Sequence, residues 1–382
     1  MINLAIPNLE GNEREYLNRC IDTTFVSSVG EYVNRFEEQI AKRTGSLYAV
    51  ATSAGTTGLH AALTAVGVKR DDLVIIPGFT FIATANAVAH CGATPWVMDI
   101  RSEDWCLDPE LVDAEIKYSC AMEKDGLLHR ETGRRVAALM PVYTLGNIPD
   151  MKRFRDIADR YGLPLVADAA CAIGAKYKGE DFGGLADLSV LSFNGNKTVT
   201  CGGGGAVVGN DEQLIHLVKH LTTTARQGGE YDFDMVGFNY RMTNLQAAVG
   251  CAQLERLDSF IERKRYVRAY YEEAFRDCSV ESFPSTEMAS CWLSGFVLPE
   301  GKGIEDVRRL NQKLKDAGIE ARTFWKPVHL QKPYLGAPVG QIEHTEALWD
   351  RIVTLPCSTG ISDEELRTVS DTVRNALKAL IG

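Results

Sequence analysis

Lys197 has the clearest capacity for covalent chemistry in this 382-residue chain. It follows an apolar run, residues 188–193, and precedes four consecutive glycines, Gly202, Gly203, Gly204 and Gly205. The run reads as a buried strand. The glycines permit tight turns and close approach of backbone to a ligand. A primary amine at the exit of such a strand is an attachment point for an aldehyde. Lysines in loops are ordinarily solvated surface charges, so the assignment depends on what stands nearby. Asp168 ends a second apolar stretch, residues 163–167. A carboxylate there needs a partner: it either caps the next helix or pairs with a protonated ring nitrogen. The segment Ser53-Ala-Gly-Thr-Thr57 lies between a strand and a helix. Backbone N–H groups at a helix start, with a hydroxyl, bind anions, although plain capping by Thr56 or Thr57 accounts for the same residues. Phe79 and Phe81 follow another apolar strand. An aromatic there packs in the core or stacks on a flat ligand. In chain order these features offer an anion site, an aromatic face, a carboxylate for a ring nitrogen and a lysine for an aldehyde. Those are the requirements of pyridoxal phosphate, whose ring acts as an electron sink.

The elements that must position these residues can be placed from periodicity. Helices are expected over 13–23 and 33–43, strands over 47–52, 73–76, 94–99, 136–142 and 163–167, and helices over 58–66, 80–90 and 149–161. Asp108-Pro109 is an N-cap followed by proline at the first helical position, a good helix start. Wholly apolar strands alternating with amphipathic helices imply an α/β fold with a mostly parallel sheet covered on both faces. Ligands bind such sheets at the carboxyl ends of the strands. Residues 53–57, Asp168 and residues 192–197 occupy three such ends. One long helix over 244–275 is expected to carry the chain out of a first domain, 1–250. Strands over 292–298, 319–325 and 352–355 and helices over 304–317 and 362–380 make a smaller C-terminal α+β domain of residues 251–382. The cluster Arg263, Lys264, Arg265 and Arg268 reads as the solvated face of the long helix.

A net charge of −10 disfavours nucleic acid and acidic membrane surfaces as partners. The ten cysteines include no Cys-x-x-Cys pair or metal-ligand spacing, so no metal is expected. Without a secretory signal at the start, reduced thiols and a cytoplasmic location are expected. The charge-free stretches 45–68 and 73–98 are interrupted by polar residues, glycine and proline. A strand followed by a helix explains them better than membrane spans. No phosphate-binding P-loop and no Gly-x-Gly-x-x-Gly motif supports a dinucleotide site.

Five motifs resemble the DegT/DnrJ/EryC1/StrS family of nucleotide-sugar aminotransferases across nearly the whole length. They are Val29-Gly-Glu-Tyr-Val-Asn-Arg-Phe-Glu37, Pro77-Gly-Phe-Thr-Phe-Ile82, Ala167-Asp-Ala-Ala170, Ser192-Phe-Asn-Gly-Asn-Lys197 and Gly237-Phe-Asn-Tyr-Arg-Met-Thr-Asn244. The resemblance implies a fold-type I, aspartate aminotransferase-like fold with bound pyridoxal 5'-phosphate. The lysine motif is most similar to the branch that makes bacillosamine- and legionaminic-type precursors. That branch aminates C4 of a UDP-linked 4-keto-6-deoxy-N-acetylhexosamine, with L-glutamate as donor. By resemblance, Lys197 carries the cofactor aldehyde and shuttles protons, Asp168 pairs with the pyridine nitrogen and Phe81 stacks on the ring. Gly55, Thr56 and Ser192 hold the phosphate. Asn239 reaches the phosphate of the neighbouring subunit's cofactor, which implies a homodimer with shared sites. Arg226, Trp325 and His329 are looser candidates for substrate contacts; as a surface charge, a core ring and a satisfied polar group they need no such role. The family commonly has Gln, His or Glu three residues after the aspartate. Here Cys171 stands beside the cofactor, and a small thiol cannot offer the same hydrogen bond. Three alternatives stay open: amination at C3, a dTDP- or GDP-linked keto sugar, and a non-catalytic regulatory protein on the same scaffold. A pyridoxal-dependent dehydratase, with histidine for the lysine, is disfavoured by Lys197.

Overall fold

The computed structural model describes residues 1–124 and 126–381. Helices α1 (Glu13–Asp22) and α2 (Glu31–Thr44) open the chain. Then come β1 (Tyr48–Thr52), α3 (Gly55–Ala65), β2 (Leu73–Pro77), α4 (Ile82–His90) and β3 (Thr94–Met98). Helix α5 (Pro109–Ser119), the hairpin β4 (Cys120–Glu123) and β5 (Gly126–His129), and β6 (Arg134–Leu139) follow. Next are α6 (Met151–Tyr161), β7 (Val166–Asp168), β8 (Leu188–Ser192), β9 (Gly205–Gly209) and α7 (Glu212–Thr222). A short hairpin, β10 (Arg226–Gln227) and β11 (Asp232–Phe233), precedes α8 (Asn244–Glu255) and α9 (Leu257–Ala274). The C-terminal part holds β12 (Glu281–Ser282), β13 (Ser294–Val297), α10 (Ile304–Asp316), β14 (Arg322–Thr323), α11 (Glu343–Leu348), β15 (Ile352–Leu355) and α12 (Asp363–Ile381).

Local chemistry sets several boundaries. Asp108 accepts the N–H groups of Glu110 and Leu111 at 2.9 and 3.3 Å, and Pro109 occupies the first helical position, which satisfies donors that a helix start leaves unpaired. Helix α6 is capped by Asp150 and ends on Gly162 at φ +64°, a left-handed conformation that favours glycine. Its apolar stripe, Met151, Phe154, Ile157 and Ala158, is buried against the sheet.

The main sheet runs β3-β2-β6-β7-β8-β9-β1. Two parallel bridges, Leu139 to Leu165 and Val142 to Asp168, join its halves. Pairs β3–β2, β2–β6 and β7–β8 are parallel, and β9 pairs antiparallel with both β8 and β1. The mostly parallel sheet therefore forms as expected, with β9 as the reversed strand. The hairpin β4–β5 extends it from the start of β6. A second, antiparallel sheet has the order β12-β13-β15-β14. The first residues of the chain join this C-terminal part: Ile2 bridges to Ile319, and Leu4 accepts the Cys357 N–H at 2.7 Å.

Several expectations are corrected. The helix expected over 58–66 begins at Gly55, because glycine serves packing there and not a longer turn. A Cβ at Gly58 would lie 2.9 Å from Val190 Cγ1. The helix expected over 244–275 is two helices meeting at Arg256. The strand expected over 319–325 contracts to Arg322–Thr323. The basic cluster is not a solvated face: Lys264 and Arg268, four residues apart, are each 3% exposed. Lys264 donates to the carbonyls of Trp292 and Cys357 at 2.8 and 2.7 Å, and Arg268 to those of Phe283, Pro284 and Leu293. Carbonyl cages replace water around buried cations.

Candidate active site

Sheet register brings the cofactor candidates together. Ser192, Gly205 and Thr52 stand in one row across β8, β9 and β1, so the start of α3 lies against the end of β8. A Cβ at Gly55 would sit 2.9 Å from Ser192 Cβ, and one at Gly205 would sit 2.5 Å from the Ala54 carbonyl oxygen and 2.7 Å from the Gly55 nitrogen. Glycine at both positions is required by close approach. Thr57 Oγ1 accepts the Ala54 N–H at 3.1 Å, while the N–H groups of Gly55 and Thr56 belong to the first turn, where helix geometry provides no partner. With the hydroxyls of Thr56 and Ser192, which line the same cleft, they could hold an anion, an arrangement the helix dipole favours.

One strand over, β7 delivers Asp168, which is 4% exposed. Its carboxylate accepts Thr84 Oγ1 at 2.7 Å and the Ala170 N–H at 3.1 Å. Burial holds the carboxyl above the usual range; those two bonds and the Lys197 charge pull it back. Such a group fits a cationic ring nitrogen better than the neutral donors it has.

Lys197 projects from the turn after β8, closed by backbone bonds from Phe193 N–H to Gly204 O at 2.8 Å and from Cys201 N–H to Phe193 O at 2.9 Å. Its Nζ lies 3.2 Å from Cys171 Sγ and 3.7 Å from the centroid of the Trp292 ring. Burial pushes the Cys171 thiol above its ordinary value, so it stays protonated.

Gly55, Thr56, Phe81, Asp168, Cys171, Ser192 and Lys197 line one cleft of about 480 Å³, and Trp325 stands in its wall. Phe81, at the start of α4, is 56% exposed and lies 6.3 Å from Trp325 between ring centroids. Trp325 also stacks on Phe324 at 4.3 Å and on Trp292 at 6.1 Å. The other three expected residues lie outside the cleft. Arg226 is exposed on the β10–β11 hairpin, where it donates to the carbonyls of Glu230 and Gly229 and covers the Tyr231 ring. Asn239 is exposed and bridges to Thr223. His329 Nε2 pairs with Glu346 Oε1 at 3.0 Å in a short turn.

Sequence reasoning missed Trp292, Arg322 and Thr84. Trp292 and Arg322 line the cleft from the C-terminal part. Trp292 lies two residues before β13 and Arg322 opens the exposed two-residue strand β14, and nothing local marks either for a ligand. Thr84 lies three residues after Phe81 on α4, in register to reach Asp168. Among the described residues no group of three or more His, Cys, Asp or Glu side chains could hold a metal ion.

The fold and this cleft define a pyridoxal phosphate-dependent transferase of the aspartate aminotransferase-like type. The model of the DegT/DnrJ/EryC1/StrS aminotransferase family matches residues 7–374, and the chain belongs to that family. It is a pyridoxal phosphate-dependent aminotransferase. Among its relatives, GDP-perosamine synthase of Caulobacter vibrioides is 36% identical over 376 residues, covering 96% of each chain. The UDP-4-amino-4,6-dideoxy-N-acetyl-beta-L-altrosamine transaminase of Campylobacter jejuni is 28% identical, covering 99% of this chain and 98% of that one. The crystal structure of DesI, solved in the presence of its TDP-sugar product, superimposes with a TM-score of 0.85 at 29% identity, covering 99% of this chain and 92% of that one.

Proposed function

We propose that this enzyme moves the amino group of L-glutamate to C4 of a 4-keto-6-deoxy sugar carried on a nucleoside diphosphate, with GDP as the carrier. The observation that carries the aminotransfer is the convergence of Lys197, Asp168 and the start of α3 on one cleft. GDP is favoured because the relative at 36% identity is named for a GDP-linked product, whereas the UDP-sugar transaminase is 28% identical. The UDP-linked N-acetylhexosamine expected from the lysine motif is the second reading.

When bound, pyridoxal phosphate supplies an electron sink and stores the amino group between the two half-reactions. The start of α3 and Ser192 would hold its phosphate, Phe81 would cover its ring, and Asp168 would pair with its nitrogen. Lys197 Nζ is the base that takes, and the acid that returns, the proton moved between substrate and cofactor. The wall of Phe81, Phe324 and Trp325 shields the reacting atoms from water and offers apolar faces to a sugar. Asn239, exposed in its own chain, serves a partner subunit's cofactor in a homodimer. The free nucleotide sugar and glutamate place the reaction in the cytoplasm.

A visible absorbance scan before and after glutamate, followed by GDP-, UDP- and dTDP-linked 4-keto-6-deoxy sugars with mass detection, tests this. A band that glutamate bleaches and the GDP sugar restores, with an amino sugar formed, is expected. Restoration by the UDP sugar alone selects the second reading, and a band indifferent to glutamate removes the aminotransfer. Lys197→Ala should retain cofactor binding and lose turnover.

A further inference from the structure

We infer that Trp292 is a positioning residue for Lys197, a seat that holds the lysine amine when it is not bonded to cofactor. The inference rests on the role given to Lys197 above. An ammonium 3.7 Å from an indole centroid is within range for a cation–π attraction, and indole is the best side chain for it. On its other side the amine meets Cys171 Sγ at 3.2 Å. Ring and thiol together define one position for an otherwise mobile four-carbon side chain.

The ring is itself fixed from several directions. Its Nε1–H donates to the Asn196 carbonyl at 2.8 Å, so the indole is tied to the residue that precedes Lys197. The Trp292 backbone N–H donates to Leu145 O at 3.1 Å, and its carbonyl accepts the buried Lys264 ammonium at 2.8 Å. Two residues earlier, Ser290 Oγ donates to the Cys171 carbonyl at 2.5 Å. The segment 290–292 therefore clasps both walls of the amine's resting place. A Cβ at Gly146 would meet Ser290 Oγ at 1.9 Å, and Gly146 has φ +88°, so glycine is obligatory where the clasp closes. The buried cation Lys264 gains a function here: it fixes the backbone of the residue that receives Lys197.

Both half-reactions need the lysine amine free, near the cofactor and correctly aimed. A seat made of ring electrons supplies that without a competing acid or base. Weakening it should lower kcat by about 2- to 30-fold, the range set by cation–π strength, and leave KM for glutamate and for the keto sugar within about twofold, because Trp292 acts through Lys197.

The test replaces Trp292 site-specifically with mono-, di- and trifluorotryptophan, which keep shape and Nε1–H while draining the ring of electron density. Trp292→Phe and Trp292→Leu accompany the series. The kcat of the holoenzyme should fall stepwise with fluorination, Trp292→Phe should retain more of it than Trp292→Leu, and both KM values should hold. The 19F signal of 5-fluorotryptophan at position 292 should shift in the Lys197→Ala background, and in the wild-type background when glutamate is added without a keto acceptor. A kcat independent of fluorine number, or a 19F signal indifferent to both changes, overturns the inference while leaving the role of Lys197 intact. Turnover surviving in Lys197→Ala overturns the underlying role instead.

Discussion

Asp168 is a carboxylate that the fold removes from water and satisfies with two neutral donors, the Thr84 hydroxyl and the Ala170 N–H. Burial raises its proton affinity in the folded chain. Between the ordinary aspartate range and that raised value the folded chain keeps a proton that the unfolded chain has lost. The unfolded state then binds fewer protons, so this group's contribution to stability falls as pH rises through the window. A bound cationic ring nitrogen reverses the balance by stabilising the carboxylate. Asp168→Asn should therefore flatten the pH dependence of the melting temperature in cofactor-free protein, and should lower kcat/KM by at least about 100-fold, the cost of removing one partner of a buried ion pair. Melting curves between about pH 4 and 8 with and without pyridoxal phosphate, as wild type against variant, check the first, and steady-state kinetics of the two holoenzymes check the second. Equal slopes without cofactor would show that Asp168 titrates as an ordinary surface acid.

The glycine run after Lys197 illustrates how elements, not residues, build the phosphate cradle. Gly205→Ala would push a Cβ to within 2.5 Å of the Ala54 carbonyl oxygen. Neither atom lies on a flexible side chain, so β9 and the start of α3 must separate. Overpacking of this kind costs about 1–3 kcal/mol, and spreading the cradle should weaken cofactor binding by roughly tenfold or more. Gly203→Ala is the control, since its Cβ would meet only Gln246 Nε2, at 3.5 Å. Equilibrium cofactor affinity and thermal melting separate the two; equal behaviour would show that the run is a flexible turn and not a packing constraint. The strand ends carrying Asp168, Ser192 and Lys197 were legible because apolar runs stop there at polar residues. The reversed strand β9 was not, because its opening glycine reads as turn and only pairing with β8 and β1 makes it a strand. The break at Arg256 was hidden because helical periodicity continues across it, although α8 is buried on most sides and α9 on one. The buried cations of α9 were misread for a related reason: local sequence cannot show that carbonyls from residues 283–293 and 357 converge on Lys264 and Arg268.

At the scale of the whole molecule, the segment from Thr224 to Tyr240 exposes Tyr231, Phe233, Met235 and Val236 together with Asn239. Apolar side chains gathered at a polar candidate residue are the kind of patch that the proposed homodimer would cover. Asn239 does not line the cleft of its own chain; in the proposed homodimer it would serve that of a second copy placed by two-fold symmetry. The proposal has a decisive form. Subunits carrying Lys197→Ala and subunits carrying Asn239→Ala should each be inactive or nearly so alone. In a mixed dimer, one site then combines the intact Lys197 of the second variant with the intact Asn239 of the first. Random mixing at equal amounts should restore about a quarter of wild-type activity, since half the dimers are mixed and each has one intact site. If Asn239 acts within its own chain, no mixed dimer contains an intact site and no activity returns. Light scattering on the same samples reports assembly independently, so a failure to exchange subunits is distinguished from a failure to complement.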